Sequence, residues 1–360
     1  MRAVVMRQRR LEVATVDDPI PGPGQVVVKT LACGICGSDL HALQHADRMI
    51  AAARRSGMPF PLDPGRDVIM GHEFCAEVVD RGPGGNGDLA PGTRVCSMPI
   101  AFDTDGFETV GYSNRFPGGY GELMVLNEMT LLPVPNGLAT DIAALTEPLA
   151  VGWHAVAKAQ WKAEDVPLVL GCGPVGLAVI AALRVRGAEP IIAADYSPKR
   201  RDLAARMGAH VVIDPAMGSP YRAWADQAVP EGCDPASPMT LMGLGPQPRP
   251  GLIFECVGVP GVLQQILDGA PRHARVVVVG VCMQSDTIEP AVGINKELNV
   301  QFVLGYTPQE FAETLSMLGE GTIDPAPMIT GKVGLDGVPD AFAALARPDS
   351  HAKILAEPWR

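Results

Sequence analysis

A chain of 360 residues, 47% hydrophobic and 19% charged, has the composition of an ordinary globular protein and the length for two domains with sizeable cores. Its net charge of -11 argues against a nucleic-acid or anionic-membrane surface, which needs clustered Lys and Arg, and no stretch approaches the roughly 18 apolar residues of a membrane helix. Forty Gly and 34 Pro predict plentiful turns, and eight Cys without a dense framework point to a reducing compartment, with the cytoplasm as the expected location.

Residues 1–6 form a strand-sized apolar run with no longer apolar stretch or cleavage site behind it, so no secretory signal is expected. The basic cluster Arg7, Arg9 and Arg10 reads as the solvated edge of a hairpin. Residues 26–30, 68–70, 76–79 and 121–126 are β-branched runs between Gly/Pro clusters and predict short strands. From 166 the rhythm changes. A strand over 166–170, a helix to 186, a strand over 191–194, a helix to about 207 and a strand over 211–213 follow in turn. Further strands are expected at 252–255 and 275–281, with a surface loop over 235–251. This alternation predicts an α/β domain with a doubly wound parallel sheet. After about residue 302 come a strand, a helix over 308–318 and a short strand near 353–355. That tail is too short for a domain and is expected to complete the N-terminal one, giving domains of 1–150 with 304–360 and of 151–303.

Gly171-Cys172-Gly173-Pro174-Val175-Gly176 matches the dinucleotide fingerprint G-x-G-x-x-G between a strand and a helix. The glycines allow a tight turn, close approach to a pyrophosphate and helix-on-strand packing, and the helix start offers unpaired N–H groups to phosphate. Alone, the motif also fits a glycine-rich turn in another sheet protein. Asp195, nineteen residues after Gly176 at the end of the next strand, adds a carboxylate placed for the adenosine ribose hydroxyls. It would repel a 2′-phosphate, which favours NAD over NADP. Lys199, Arg200 and Arg201 pull the other way if they face the cofactor, or are solvent-facing charges on a helix start. Arg200, Val279 and Val281 are further candidate cofactor contacts.

Cys36, Ser38, Asp39 and His41 fall within six positions, with His72, Glu73 and Glu147 further on. Cys, His and Glu form a zinc-type ligand set with room for a water or substrate oxygen. Each also has a plain structural reading: a buried thiol for Cys36, a satisfied core imidazole for His72, a helix-start carboxylate for Glu147.

Taken together, GICGSDLH at 34–41, GHE at 71–73, EPLAVGWHAV at 147–156 and GCGPVG at 171–176 make the chain resemble the zinc-containing medium-chain alcohol and polyol dehydrogenases, over essentially its whole length. The branch is that of the sorbitol, butanediol and threonine dehydrogenases. The resemblance implies a GroES-like β-rich catalytic domain, an inserted Rossmann domain, and an active site in the cleft between them. It implies zinc ligands Cys36 and His72, Glu73 as a direct or exchangeable ligand, and Glu147 where the polyol branch carries glutamate. Asp39 would orient His72, and Ser38 and His41 would relay the proton of a zinc-polarised alcohol. A small-molecule alcohol or carbonyl as substrate, NAD as cofactor and a homodimer or homotetramer follow from the same resemblance. Other readings are a zinc-dependent reductase or lyase of the family and a non-enzymatic cofactor-binding scaffold. The scaffold gives no chemical reason to keep all of Cys36, Ser38, His41, His72, Glu73 and Glu147.

Two departures bear on function. Many relatives hold a structural zinc with four closely spaced cysteines, whereas residues 102–119 contain none, so one zinc per chain is expected. His72 follows Cys36 by 36 positions, longer than the family pattern, and the extra sequence has Met49, Ile50 and Ala53 at helical spacing. It is expected to add a helix over 46–56, which either shapes substrate choice or decorates the surface.

Overall fold

In the computed structural model, which describes residues 1–360 apart from Pro59, Asn86, Asp88, Pro348 and Ser350, the chain divides into two units. One comprises Met1–Glu147 and Pro308–Arg360, the other Pro148–Thr307.

The first unit is built on the strand Gln25–Gly34, whose Val-rich run is buried along nearly all its length. Glu73–Arg81 pairs antiparallel along it with two register shifts, and Leu123–Asn127 and Lys353–Ala356 share its other edge. Ile329–Val333, Arg94–Ser97 and Leu131–Pro133 complete a seven-stranded sheet. Its core includes Val26, Val28, Phe74, Val78, Tyr120, Met124 and Leu126. The N-terminal hairpin Arg2–Arg7/Arg10–Thr15 turns at Gln8 and Arg9, both with positive φ. Arg9 and Arg10 are exposed there, and Arg7 pairs with Asp67 at 2.7 Å.

The second unit is a six-stranded, wholly parallel sheet ordered Val211–Ile213, Ile192–Ala194, Val166–Leu170, Gly251–Glu255, Arg275–Val278, Asn299–Phe302. Helices Pro174–Val185, Pro198–Met207 and Pro220–Ala228 each start with Pro, whose fixed φ suits the first helical turn. The strand order reverses between Val166–Leu170 and Gly251–Glu255, the switch point at which doubly wound sheets bind ligands.

Several elements differ from expectation for identifiable reasons. Residues 68–70 form a single bridge, Val68 to Met6, because Ile69 and Met70 then turn their carbonyls to the irregular segment at Gly118 and Tyr120. The extra sequence at 46–56 does not make a separate helix. It continues Gly37–Ser56 through a kink at His45, and Met49 and Ile50 pack against the core. The strand expected to reach 281 stops at Val278, since the N–H groups of Val279 and Gly280 both turn to the carbonyl of Glu255. The loop over 235–251 contains one short helix, Pro238–Leu241, and Ile329–Val333 and Val338–Leu345 arise where no element was expected.

Inside the second unit, helix Thr146–Lys158 meets helix Pro174–Val185 at Gly152. A Cβ there would stand 2.4 Å from the carbonyl carbon of Ala178. Gly152→Ala is therefore expected to lower stability by about 1–3 kcal/mol through overpacking, measured as a fall in denaturant midpoint without a change in slope.

Candidate active site

Strand pairing brings the motif residues together. Cys36 follows the end of Gln25–Gly34, and Glu73, which opens the neighbouring strand, pairs with Gly34. Gly71 before them has φ +101°, and a Cβ would meet Cys33 Sγ and Tyr120 within 2.9 Å, so the GHE turn requires glycine. Among the described residues, Cys36, His72 and Glu73 alone form a group of metal-capable side chains, their ligand atoms all within 4.8 Å of one another. A soft sulfur, an imidazole and a carboxylate at that separation fit a zinc ion. Cys33 is different. Burial, with Asp39 and Glu73 nearby, pushes its thiol well up, so it remains a core thiol.

Asp39 is completely buried on the first turn of Gly37–Ser56. Its Oδ2 accepts from Tyr120 Oη at 2.6 Å and from the Cys36 N–H at 3.0 Å. Its Oδ1 accepts from Tyr112 Oη at 2.9 Å and stands 3.3 Å from His72 Nδ1. Burial alone would raise the Asp39 pKa, but His72 and these donors outweigh it and lower it. With Nδ1 turned toward this carboxylate, Nε2 is the ring nitrogen left for a metal. Ser38 Oγ donates to Cys36 Sγ at 3.1 Å and lies 2.8 Å from Tyr112 Oη. His41 lies on the same helix, half-buried, its ring 6.4 Å from that of His45, and burial followed by His45 lowers its pKa.

Two residues here escape motif reading: Tyr112 and Lys353. Lys353 Nζ, fully buried, contacts both carboxylate oxygens of Glu73 at 2.7 and 2.6 Å and the carbonyl of Ile35 at 3.1 Å. Burial opposes the lysine's charge, but Glu73 more than offsets it and its pKa is raised. Glu73 is thus already committed to a cation. Glu147, on the first turn of Thr146–Lys158, lies outside the three-residue group, though its charge also favours Lys353's protonation. The only sequence signal for Lys353 was an ionisable residue in a strand-like apolar context. The inserted sequence reaches the same place, since Phe60 packs on Tyr112, ring centroids 5.9 Å apart, and Tyr112 on His72 at 5.1 Å. No cysteine lies in 102–119. The hairpin Ile100–Asp103/Gly106–Thr109 is held by Arg115, bonded to Asp103 at 2.8 Å and Glu108 at 2.5 Å.

In the second unit, Gly171 has φ +88°, and a Cβ on Gly176 would stand 1.8 Å from the Gly171 carbonyl oxygen, so this turn closes only on glycine. Pro174 and Val175 open the helix behind it. Asp195 accepts from the N–H groups of Cys172 and Ser197, each at 2.8 Å, so it braces the loop. Arg200 leans over the loop, near a Cβ position of Gly173 and 4.0 Å from Asp195, with its buried Nε unpartnered. Arg201 is committed to Asp214 at 3.0 Å and to the carbonyls of Asp195 and Tyr196, and Lys199 is exposed. Val279 is buried and Val281 half-exposed beside the Gly258 turn. A glycine cradle with an unsatisfied guanidinium beside it fits a dinucleotide.

Residues 22–136 match the alcohol dehydrogenase GroES-like domain and residues 174–320 the zinc-binding dehydrogenase domain. The chain is 33% identical to the (R,R)-butanediol dehydrogenase of Bacillus subtilis, over 98% of this chain and 97% of that protein. The crystal structure of 2R,3R-butanediol dehydrogenase from Bacillus subtilis superposes with a TM-score of 0.79 at 31% identity, covering 99% of both chains. A putative zinc-binding dehydrogenase from Sinorhizobium meliloti 1021 bound to NADP also scores 0.79, at 27% identity over 99% of both. The fold is a GroES-like domain with a Rossmann domain, and the chain belongs to the zinc-containing medium-chain alcohol and polyol dehydrogenases. It is a zinc-dependent oxidoreductase acting on CH–OH groups with a nicotinamide cofactor.

The Lys353–Glu73 pair has a measurable consequence. Lys353→Met leaves a buried carboxylate without its cation and is expected to cost about 3–5 kcal/mol. Adding Glu73→Gln should recover part of that loss in thermal or denaturant unfolding.

Proposed function

We propose that this chain oxidises a secondary alcohol of the diol or polyol class, reversibly, with NAD as hydride acceptor and one zinc per chain. The grouping of Cys36, His72 and Glu73 carries the reading. Identity of 33% to a butanediol dehydrogenase over nearly the full length of both chains favours a vicinal diol. Residues 1–150 with 304–360 would be the catalytic domain and 151–303 the NAD-binding domain, a division supported by the two units.

Cys36 and His72 would hold the zinc, with Glu73 or Glu147 as a further ligand. Zinc would supply Lewis acidity at the substrate oxygen and the nicotinamide would accept the hydride. Asp39 keeps the His72 ring oriented, helped by Tyr120. Ser38, beside Cys36, would receive the alcohol proton, and His41, kept mostly neutral at pH 7 by burial and His45, would pass it outward. Lys353 holds Glu73 back in the resting arrangement. Gly171, Gly173 and Gly176 with Pro174 and Val175 would seat the pyrophosphate, Asp195 and Arg200 the adenosine ribose, and Val279 and Val281 the cofactor's flank. In a panel of 2,3-butanediol stereoisomers, sorbitol and threonine, a butanediol isomer should give the highest kcat/KM with NAD. Absence of NAD reduction with every alcohol would refute the reading.

Zinc analysis should return about one ion per chain, and Cys36→Ser should abolish zinc and activity while the protein still folds and binds cofactor. Two tightly held zincs would contradict the single-site reading. NAD should exceed NADP in kcat/KM by at least about tenfold, because Asp195 repels a 2′-phosphate. Asp195→Ala should narrow that ratio, with some loss of stability since Cys172 and Ser197 lose their acceptor. Equal use of both cofactors by the wild type would rule the ribose reading out.

The edge strand Asn299–Phe302 is exposed along its length, with Phe302 65% and Leu304 77% accessible. An unpaired apolar edge supports a homodimer, or a tetramer of dimers, formed there in the cytoplasm. Light scattering at micromolar concentration should show at least a dimer, and Phe302→Lys should shift it toward monomer.

A further inference from the structure

One buried carboxylate of the second unit has no part in the function proposed above. Glu255 closes the strand Gly251–Glu255, in register with Leu170 just before the Gly171 turn, and is 4% exposed. Its Oε1 accepts from the N–H groups of Val257 at 2.7 Å and Gly258 at 2.8 Å. Its main-chain carbonyl accepts from the N–H groups of Val279 and Gly280, each at 2.9 Å. One residue thus pins both the turn after its own strand and the turn after Arg275–Val278. Burial raises its pKa more than the two amides lower it, as expected for a carboxyl group held out of water.

These two turns pack closely on each other and on the glycine loop. A Cβ on Gly258, whose φ is +70°, would stand 2.8 Å from the Val281 carbonyl oxygen. One on Gly280 would stand 2.8 Å from Glu255 Oε2, and one on Gly171 would stand 2.8 Å from Val257 Cγ2. The turns nevertheless leave Val257 44% and Val281 49% exposed, two large apolar side chains at the C-terminal end of a parallel sheet. Strand order decides which half of a dinucleotide would meet them. Asp195 follows Ile192–Ala194 on one side of Val166–Leu170, whereas Val257 and Val281 follow the two strands on the other side. With a pyrophosphate on the Gly171 loop and adenosine at Asp195, the side left for the nicotinamide riboside is that of Val257 and Val281.

We propose that Glu255 is a positioning residue for the nicotinamide half of the cofactor, its carboxylate fixing the turns that present Val257 and Val281. It is too buried to meet the ligand itself and acts through the amides it holds. Asp195 holds the Cys172 and Ser197 amides in the same manner on the adenosine side. A surface fixed before binding spares the complex the ordering of two loops, which strengthens the hold on that half. The inference rests on the reading of the cofactor as NAD seated on the Gly171 loop.

Calorimetry on the whole zinc-loaded chain separates the two halves, using NADH and using ADP, which keeps the adenosine and both phosphates but lacks the nicotinamide riboside. Glu255→Ala should weaken NADH binding at least about tenfold and ADP binding less than about twofold, since only the Val257 and Val281 turns lose their brace. Glu255→Gln keeps an oxygen acceptor for the two amides and should recover most of that loss. Equal weakening of both ligands would reduce Glu255 to a prop of the fold and overturn the proposal. So would unchanged NADH binding in Glu255→Ala, or a Glu255→Gln variant as weak as the alanine one. If the wild type binds no NADH, the cofactor reading fails first and this inference with it. Should Glu255→Ala not fold, amide hydrogen exchange in the wild type decides. NADH should slow exchange at Val257 and Gly258 where ADP does not, and equal slowing by both ligands, or by neither, would overturn the proposal.

Discussion

The Asp39 carboxylate, wholly buried, is the constraint on which the catalytic unit depends. An ionised carboxylate out of water is costly unless its lone pairs are filled, and here Tyr112, Tyr120, the Cys36 amide and His72 surround it. Each of those partners is fixed in return. The Cys36 amide ties the start of Gly37–Ser56 to its own first turn, Tyr120 ties in the irregular segment after Gly118, and His72 is aimed by its Nδ1. One charge therefore sets the entry of the helix, the path of a distant loop and the orientation of an imidazole.

A second buried ion pair works beside it under the opposite logic. Glu73 and Lys353 are both about 1% exposed, and the lysine also reaches the Ile35 carbonyl. Buried pairs of this kind add little net stability over an apolar replacement, but are costly to break. What the pair achieves is placement: the C-terminal strand Lys353–Ala356 is drawn against Gln25–Gly34, and the carboxylate nearest Cys36 and His72 is held by a cation. Electrostatics in this unit thus arrange the candidate ligands before any metal arrives.

The nucleotide-binding unit relies on backbone geometry instead. Gly171 and Gly176 approach closely enough that no side chain fits, and Asp195 stitches the loop between them to the next strand. Binding at this turn uses N–H groups of the chain itself, so the demand falls on residue size and φ more than on charge. Arg200 is the exception, a guanidinium with an unpartnered Nε waiting over the loop.

The nucleotide loop and its flanking strands and helices were legible in the sequence because their requirements are local: glycine at positive φ, proline at a first helical turn, apolar runs of strand length, a carboxylate one strand further on. Cys36, His72 and Glu73 were legible as residue types for the same reason. What the one-dimensional pattern could not contain was who meets whom across the sheet. Lys353 lies 280 positions from Glu73 and Tyr112 74 positions from Ser38, and only strand pairing brings them into contact. The irregular path at 68–70, the helix continuing through His45 and the early end of Arg275–Val278 were likewise decided by hydrogen bonds to distant carbonyls and by packing. Sequence determined the chemistry available to this protein. Tertiary structure decided which of those groups share protons and charge, because that depends on separations of a few ångströms between segments far apart along the chain.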